Sequence, residues 1–203
     1  MILKKKKVAQ LCKRSKGILL ATAKDKTQWA GAQSATYSLA GMPSMSIEEL
    51  MVAFDYTEDE KSKFTTTSVI DLGDLISDDY PNEILVENNS KSVYFNDVHY
   101  VMYSAGGRVI LINSEYLVPI KTCGETRYYI RFKETGECYL CVKNGMIAEA
   151  VIGERNFSEG ELDALLKSLR ETADQIEDGY EPRASAKEYD EGSQQLGMEE
   201  DDE

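Results

Sequence analysis

Between Ser92 and Ile152 the chain is cut into short β-rich runs by turn-forming residues, and this spacing constrains the fold more than any other feature. Ser92–Phe95, Val98–Ser104, Arg108–Ile112 and Glu115–Ile120 are the first runs, separated by Asn96–Asp97, Ala105–Gly107 and Asn113–Ser114. After a linker at Lys121–Thr126 the pattern repeats through TRYYIRF, ECYLCV and MIAEAVI, parted by Lys133–Gly136 and Asn144–Gly145. Connections this short join antiparallel neighbours, because a parallel crossover needs a dozen or more residues. The spacing therefore predicts antiparallel meanders rather than a βαβ sheet.

Helical signals flank this region. Val8, Leu11 and Cys12 share one side of a predicted helix from Lys5 to Ser15, with Gly17 as the residue that tolerates a left-handed stop. GILLATA, the polar turn Lys24–Gln28 and WAGAQSATYSLAG read as a hairpin. Gly41, Met42 and Pro43 break it, and Ser44 or Ser46 can cap the helix SIEELMVAF. Ile47, Leu50, Met51 and Phe54 form its apolar stripe, and Asp55 and Thr57 can start a second helical turn, TEDEKSKF. Residues 65–90 hold a short strand in TTTSVIDL and a polar connection in GDLISDDYPNE. Ser158 with Glu161 makes a capping box for a last helix, whose Leu162, Leu165, Leu166 and Leu169 are expected to lie across the sheet.

The expectation is an α+β protein in three parts. Residues 1–64 form a helix–hairpin–helix unit and residues 65–176 an antiparallel sheet plus helix. Residues 177–203 form an acidic tail, EDGYEPRASAKEYDEGSQQLGMEEDDE, with too little apolar material to offset the entropy of ordering. No apolar run after the lysine-rich start resembles a secretory signal, and none approaches the ~18–20 residues of a membrane span. Four cysteines are sparse for 203 residues, so the expectation is reduced thiols in a cytoplasmic protein with no membrane contact.

Charge is sorted along the chain. Residues 1–40 carry nine Lys/Arg and one acid, residues 41–90 two basics and twelve acids, and residues 156–203 four basics and sixteen acids. The stretch 91–155 is nearly balanced, and the whole sums to −13. Such a chain suits a charged partner. The acids expected to meet a basic protein surface are Glu48, Glu49, Glu58, Asp59, Glu60, Asp71, Asp74, Asp78 and Asp79. The basic start, with Lys4, Lys5, Lys6, Lys7, Lys13 and Arg14, can contact RNA phosphate.

Patterns for chemistry are weak. His99 sits in VHYVMY without an adjacent partner, nucleophile or metal ligand, and reads as a structural or interface residue. Cys138 and Cys141 have C-x-x-C spacing, but on a strand positions i and i+3 face opposite ways, which frustrates zinc binding and disulfide exchange. Asp71, Asp74, Asp78 and Asp79 follow no EF-hand spacing, and Gly106–Gly107 belongs to no phosphate-binding loop. No nucleophile elbow occurs. No catalytic, cofactor or metal residue is assigned.

The segment WAGAQSATYSLAGMPSMSIEELMVAFDYTEDEKSKF resembles a stretch of small, acidic, uncharacterised proteins of Firmicutes phages and prophages. Trp29, Gly31, Tyr37, Leu39, Gly41, Pro43, Phe54 and Asp55 carry the likeness, and YYIRFKETGECYLCVKNGMIAEAVI is similar to their second half. Some phage proteins of this size block host immunity, including the Cas9 inhibitors of anti-CRISPR systems. The resemblance implies a non-enzymatic inhibitor of a nucleic-acid-targeting defence complex, with Cas9 and its guide RNA the leading candidate. An acidic surface can imitate DNA in Cas9's basic channel. The alternatives are a phage accessory or scaffold protein for replication or assembly, and a metal-dependent nuclease or nucleotide hydrolase using Asp71, Asp74 and Asp78.

Overall fold

Two-residue turns set the first pattern of the fold. A computed structural model describes residues 4–32, 34–69, 72–87 and 91–179, with residues 69 and 172–179 as backbone only. Strands β6 (Ser92–Phe95), β7 (Val98–Ala105) and β8 (Arg108–Asn113) follow α1 (Lys5–Ser15), β1 (Gly17–Thr22), β2 (Gln28–Ala32), β3 (Ala35–Ser38), α2 (Ile47–Ala53), α3 (Glu58–Lys61), β4 (Thr65–Val69) and β5 (Ile84–Val86). Then come β9 (Thr126–Phe132), β10 (Cys138–Asn144), β11 (Ile147–Gly153) and α4 (Glu159–Gly179). Asn96–Asp97 and Gly106–Gly107 all take positive φ, the primed-turn conformation that matches the twist of paired strands. Phe95 therefore pairs with Val98, and Ala105 with Arg108.

The meander expected from residues 92–152 is divided. β6–β7–β8 form a separate three-stranded sheet, while β9–β11 join the N-terminal strands in an eight-stranded sheet ordered β4-β1-β2-β3-β11-β10-β9-β5. The link between early and late strands is β3 with β11, where Tyr37 stands opposite Ala150. All pairs are antiparallel except β1 with β4. The α+β class, the N-terminal helix and hairpin and the C-terminal helix are as the sequence predicts.

Three local expectations fail for identifiable reasons. Glu115–Ile120 is not a strand: Ser114–Leu117 is a 3₁₀ turn, started by the Asn113 side chain accepting from the Glu115 N–H at 3.0 Å. Pro119 then removes a ladder donor. WAGAQSATYSLAG is two strands, β2 and β3, rather than one. The left-handed stop of α1 falls on Lys16, at φ 50°, and Gly17 opens β1.

The large sheet is covered on both faces. One core joins Val8, Leu11 and Cys12 of α1 and Leu50, Met51 and Phe54 around α2 to Tyr37, Ile130 and Leu140 of the large sheet. Tyr103, Ile110 and Ile112 of the small sheet belong to the same core. Tyr37 donates its hydroxyl to the Tyr116 carbonyl at 2.7 Å, and Tyr56 donates to the Ala9 carbonyl at 2.9 Å, so both buried phenols are satisfied. On the opposite face Ala21, Trp29, Cys141, Ala148 and Val151 are packed with Ile76, and Leu72 and Leu75 join them. The segment from Leu72 to Glu83, with a 3₁₀ turn at Gly73–Ile76, supplies that cover.

Chain contacts separate Met1–Asn156 from Phe157–Glu203. In the second unit Ser158 and Glu161 form the expected capping box, with the Ser158 N–H donating to Glu161 Oε2 at 2.9 Å. The expected leucine stripe of α4 is not uniformly buried. Leu165 is 4% exposed, but Leu162, Leu166 and Leu169 are 45%, 43% and 46% exposed. The acidic stretch from residue 180 onward lies outside the described residues. Among the described residues no helix is long and apolar enough to cross a membrane.

One glycine is fixed by packing. A Cβ on Gly31 would stand 1.9 Å from the Ala35 carbonyl oxygen and 2.8 Å from the Thr36 Cα, so β2 and β3 approach closely only around glycine. Gly17, by contrast, has nothing nearer than 3.8 Å. Gly31→Ala should lower stability in chemical denaturation by at least about 1–3 kcal/mol, as overpacked cores do, while Gly17→Ala should leave the midpoint nearly unchanged. Equal effects would show that the β2–β3 approach is not tight.

Candidate functional site

The basic and acidic blocks that the sequence keeps apart meet in the fold. Tyr56 and Glu60 come against α1, where Lys13 Nζ lies 2.8 Å from Glu60 Oε1 and 4.9 Å from the centre of the Tyr56 ring. Arg14 pairs with Glu115. Glu58 and Asp59 take Lys61 and Lys63, three and four residues away, at 2.6 and 2.7 Å. Glu60 and Glu49 also close capping boxes, accepting from the Thr57 and Ser46 N–H groups at 2.9 and 2.7 Å. Much of the acid at residues 49–60 is therefore committed to helix starts and nearby lysines, in solvent-accessible pairs that add little stability. Glu48 remains exposed in the first turn of α2, where it favours the helix dipole.

Lys4, Lys5, Lys6 and Lys7 keep their ammonium groups exposed and make no ion pair among the described residues. The Lys4 N–H donates to the Pro119 carbonyl at 2.7 Å, and the Lys4 carbonyl accepts from the Lys7 N–H at 2.8 Å. Four cations at the start of α1, with no acid in the first turn, oppose the helix dipole.

The second acidic group gathers at a cleft. Asp74, Asp78 and Asp79 line a cavity of about 370 Å³ together with Asp25, which the sequence reading did not single out. Trp29 and Ile76 give it an apolar floor, and Ile147 and Ala148 lie beside them. Lys24 is the basic residue in the lining, 3.1 Å from Asp74. Asp78 Oδ1 accepts the Ala148 N–H at 2.7 Å, and Asp25 accepts the Thr27 N–H at 2.9 Å. Asp79 is exposed. Glu48, Glu49, Glu58, Asp59 and Glu60 do not line this cleft, and Asp71 lies outside the described residues. Nothing in the sequence connects Asp25 with Asp74; the β1–β2 turn and the 3₁₀ turn bring them together. A neighbouring cleft of about 420 Å³ shares Ile76 and is lined by Leu19, Thr36, Tyr139, Val151 and Gly153.

A buried ion cluster holds the covering segment in place. Arg131 on β9 and Lys143 on β10 are 0% and 6% exposed, and both reach Glu83 at the end of the cover. Arg131 Nε and Nη2 donate to Glu83 Oε2 at 3.0 and 2.7 Å, while its Nη1 donates to the Leu75 carbonyl. Lys143 Nζ donates to Glu83 Oε1 and, at 2.6 Å, to the Asp78 carbonyl. The Tyr80 and Tyr129 rings lie 5.0 and 4.8 Å from the two cations. Each buried charge is thus paired and hydrogen-bonded, the condition for keeping it out of water. Strand spacing offers one hint, since Arg131 and Lys143 lie two residues beyond the half-buried Tyr129 and the buried Cys141, which pair across the strands. Glu83 gave none.

Other chemistry-bearing residues are placed plainly. Among the described residues no group of three or more His, Cys, Asp or Glu could hold a metal ion. His99 is stacked on Tyr94, ring centres 4.6 Å apart, at the β6–β7 hairpin. Cys138 and Cys141 belong to the two different cores, as strand alternation requires. Burial pushes the Cys12 and Cys141 thiols up to about 12 and the Cys138 thiol to about 11. Cys123 is exposed, and the Thr126 hydroxyl, donating to its sulfur at 3.5 Å, together with the Glu125 backbone, holds it below the usual thiol range.

No family model matches the chain, and no curated protein or solved structure is detectably similar to it.

The thiols give a direct test of this geometry. The thiolate is the reactive species, so in the native protein at neutral pH Cys123 should react with a disulfide reagent well before the other three. Thr126→Val removes the donor that favours the thiolate, so the pKa rises and the rate-against-pH curve moves to higher pH. A curve that does not move would refute the hydrogen bond's role.

Proposed function

We propose that the protein is a non-enzymatic inhibitor of phage or mobile-element type, acting on a host nucleic-acid-targeting defence complex. Cas9 with its guide RNA is the leading candidate. The observation that carries this reading is the cleft where Asp25, Asp74, Asp78 and Asp79 converge with Lys24 as the basic residue of the lining, on a chain of net charge −13. Carboxylates held on a folded surface can take the place of phosphates against a protein channel built to grip DNA. The sequence resemblance to phage proteins supports the same reading.

The acids divide into two kinds in this proposal. Asp74 and Asp79 are exposed and are assigned to the partner. Glu49, Glu60 and the Asp78 Oδ1 atom serve the fold first, through their bonds to backbone N–H groups. The exposed Lys4–Lys7 ammonium groups supply a separate cationic element, suited to guide-RNA phosphate. The Lys13 and Arg14 assigned to that role from sequence are drawn to Glu60 and Glu115, which weakens their part in it.

Immobilised full-length protein should retain Cas9–guide RNA at low salt and release it as salt rises, and excess protein should suppress target cleavage. Asp74→Asn with Asp79→Asn should weaken retention by roughly tenfold, the order expected for loss of complementary charge, without lowering the melting temperature. Normal cleavage at excess protein, with no salt-sensitive retention, would overturn the proposal.

A further inference from the structure

The eight-stranded sheet ends in two edges, and they are built differently. β5 closes one end with three residues, Ile84–Val86, bracketed in sequence by Glu83 and Glu87. Short edges flanked by charge discourage a further strand. β4 closes the other end with Thr65-Thr66-Thr67-Ser68-Val69, which contains no charge and no proline. Its pairing with β1 runs without a register shift from Gly17–Thr65 to Ala21–Val69. Thr65, Thr66, Thr67 and Ser68 are all exposed. Among the described residues, β4 itself carries no charge, proline or register shift to blunt the edge.

The backbone shows which groups this edge offers. The Thr65 N–H donates to the Lys16 carbonyl at 3.0 Å, so residue 65 turns its polar groups toward β1. Direction alternates along a strand. Residue 67 therefore also faces β1, and the N–H and C=O of Thr66 and Ser68 face the open side. No described strand pairs with them.

We propose that β4 pairs antiparallel with the same strand of a second copy, about a two-fold axis at Thr67. Thr66 then stands opposite the partner's Ser68, and Ser68 opposite the partner's Thr66. Each of these pairs exchanges two N–H···O=C bonds, which satisfies every outward group of both strands. Thr67 meets the partner's Thr67 across the axis in the closer, non-hydrogen-bonded spacing, where threonine pairs are favourable. The occupant follows from charge. Two copies of a −13 chain repel over most approaches, and β4 is an uncharged stretch where they can meet with no like charges opposed. A basic partner is drawn to the aspartate cleft instead. One strand pair buries little surface, so the dimer is weak and reversible.

Sedimentation equilibrium of the full-length chain over a concentration series tests this independently of any defence complex. The mass should rise reversibly from monomer toward dimer. Thr67→Lys and Thr67→Glu each place like charges on the axis and should weaken association by roughly fivefold or more. An equimolar mixture of the two variants should associate at least as well as the unsubstituted protein. Thr66→Pro removes an outward donor but no bond to β1, and should also give monomer with the melting temperature kept. A monomer at every concentration would overturn the proposal. So would a dimer that all three variants leave unchanged, or a mixture no better than its components.

Discussion

One carboxylate, Glu83, holds two buried cations, and the outer face of the large sheet depends on it. Arg131 and Lys143 come from neighbouring strands and would stand unpaired in an apolar layer without it. An unpaired buried charge costs several kcal/mol, so the ion cluster is a strong reason for residues 72–83 to lie where they do. That segment in turn carries Leu72, Leu75 and Ile76 onto Trp29 and Cys141, and it brings Asp74, Asp78 and Asp79 to the cleft beside the Asp25 turn. Lys143 adds a bond to the Asp78 carbonyl, and the Ala148 N–H takes the Asp78 carboxylate, so the cluster and the cleft share a residue.

Charge therefore does two different jobs in this chain. Near α1 it closes the fold on itself: Lys13 and Arg14 meet Glu60 and Glu115, residues distant in sequence. These pairs are partly or wholly exposed and contribute little stability, but they remove charge that a block-by-block reading assigns to a partner. Around Asp25, Asp74 and Asp79 the acids face a cleft with Lys24 as its basic residue, and among the described residues Lys4–Lys7 make no ion pair. The bipolar pattern in the sequence survives at these two places.

Features set by neighbours in sequence were legible. The turns at Asn96–Asp97 and Gly106–Gly107, the capping box at Ser158 and the stripe Leu50–Met51–Phe54 follow from spacing and side-chain chemistry. Spacing alone leaves Ser44 and Ser46 as equal caps for α2, and the structure uses Ser46. What was not legible depends on distant partners. β6–β8 and β9–β11 carry the same local pattern, and only pairing with β3 recruits one set into the large sheet. β5 is three residues long, too short for any period. Of the candidate site, Asp74, Asp78 and Asp79 stand out in sequence as part of a run of acids with Asp71, which lies outside the described residues. Asp25 and the Glu83 cluster join residues about 50–60 apart in sequence, which no spacing rule connects.

Glu83 is needed because Arg131 and Lys143 are buried, and a mutant cycle followed by Trp29 fluorescence measures this directly. Trp29 is the sole tryptophan, 3% exposed beneath the covering segment, so it reports on that layer. Glu83→Gln in the natural background should cost about 3–5 kcal/mol of unfolding free energy, the range for stranding buried charge. The same change made alongside Arg131→Met and Lys143→Met should cost under about 1 kcal/mol, because no buried cation is then left unpaired. Equal losses in the two backgrounds would contradict the claim.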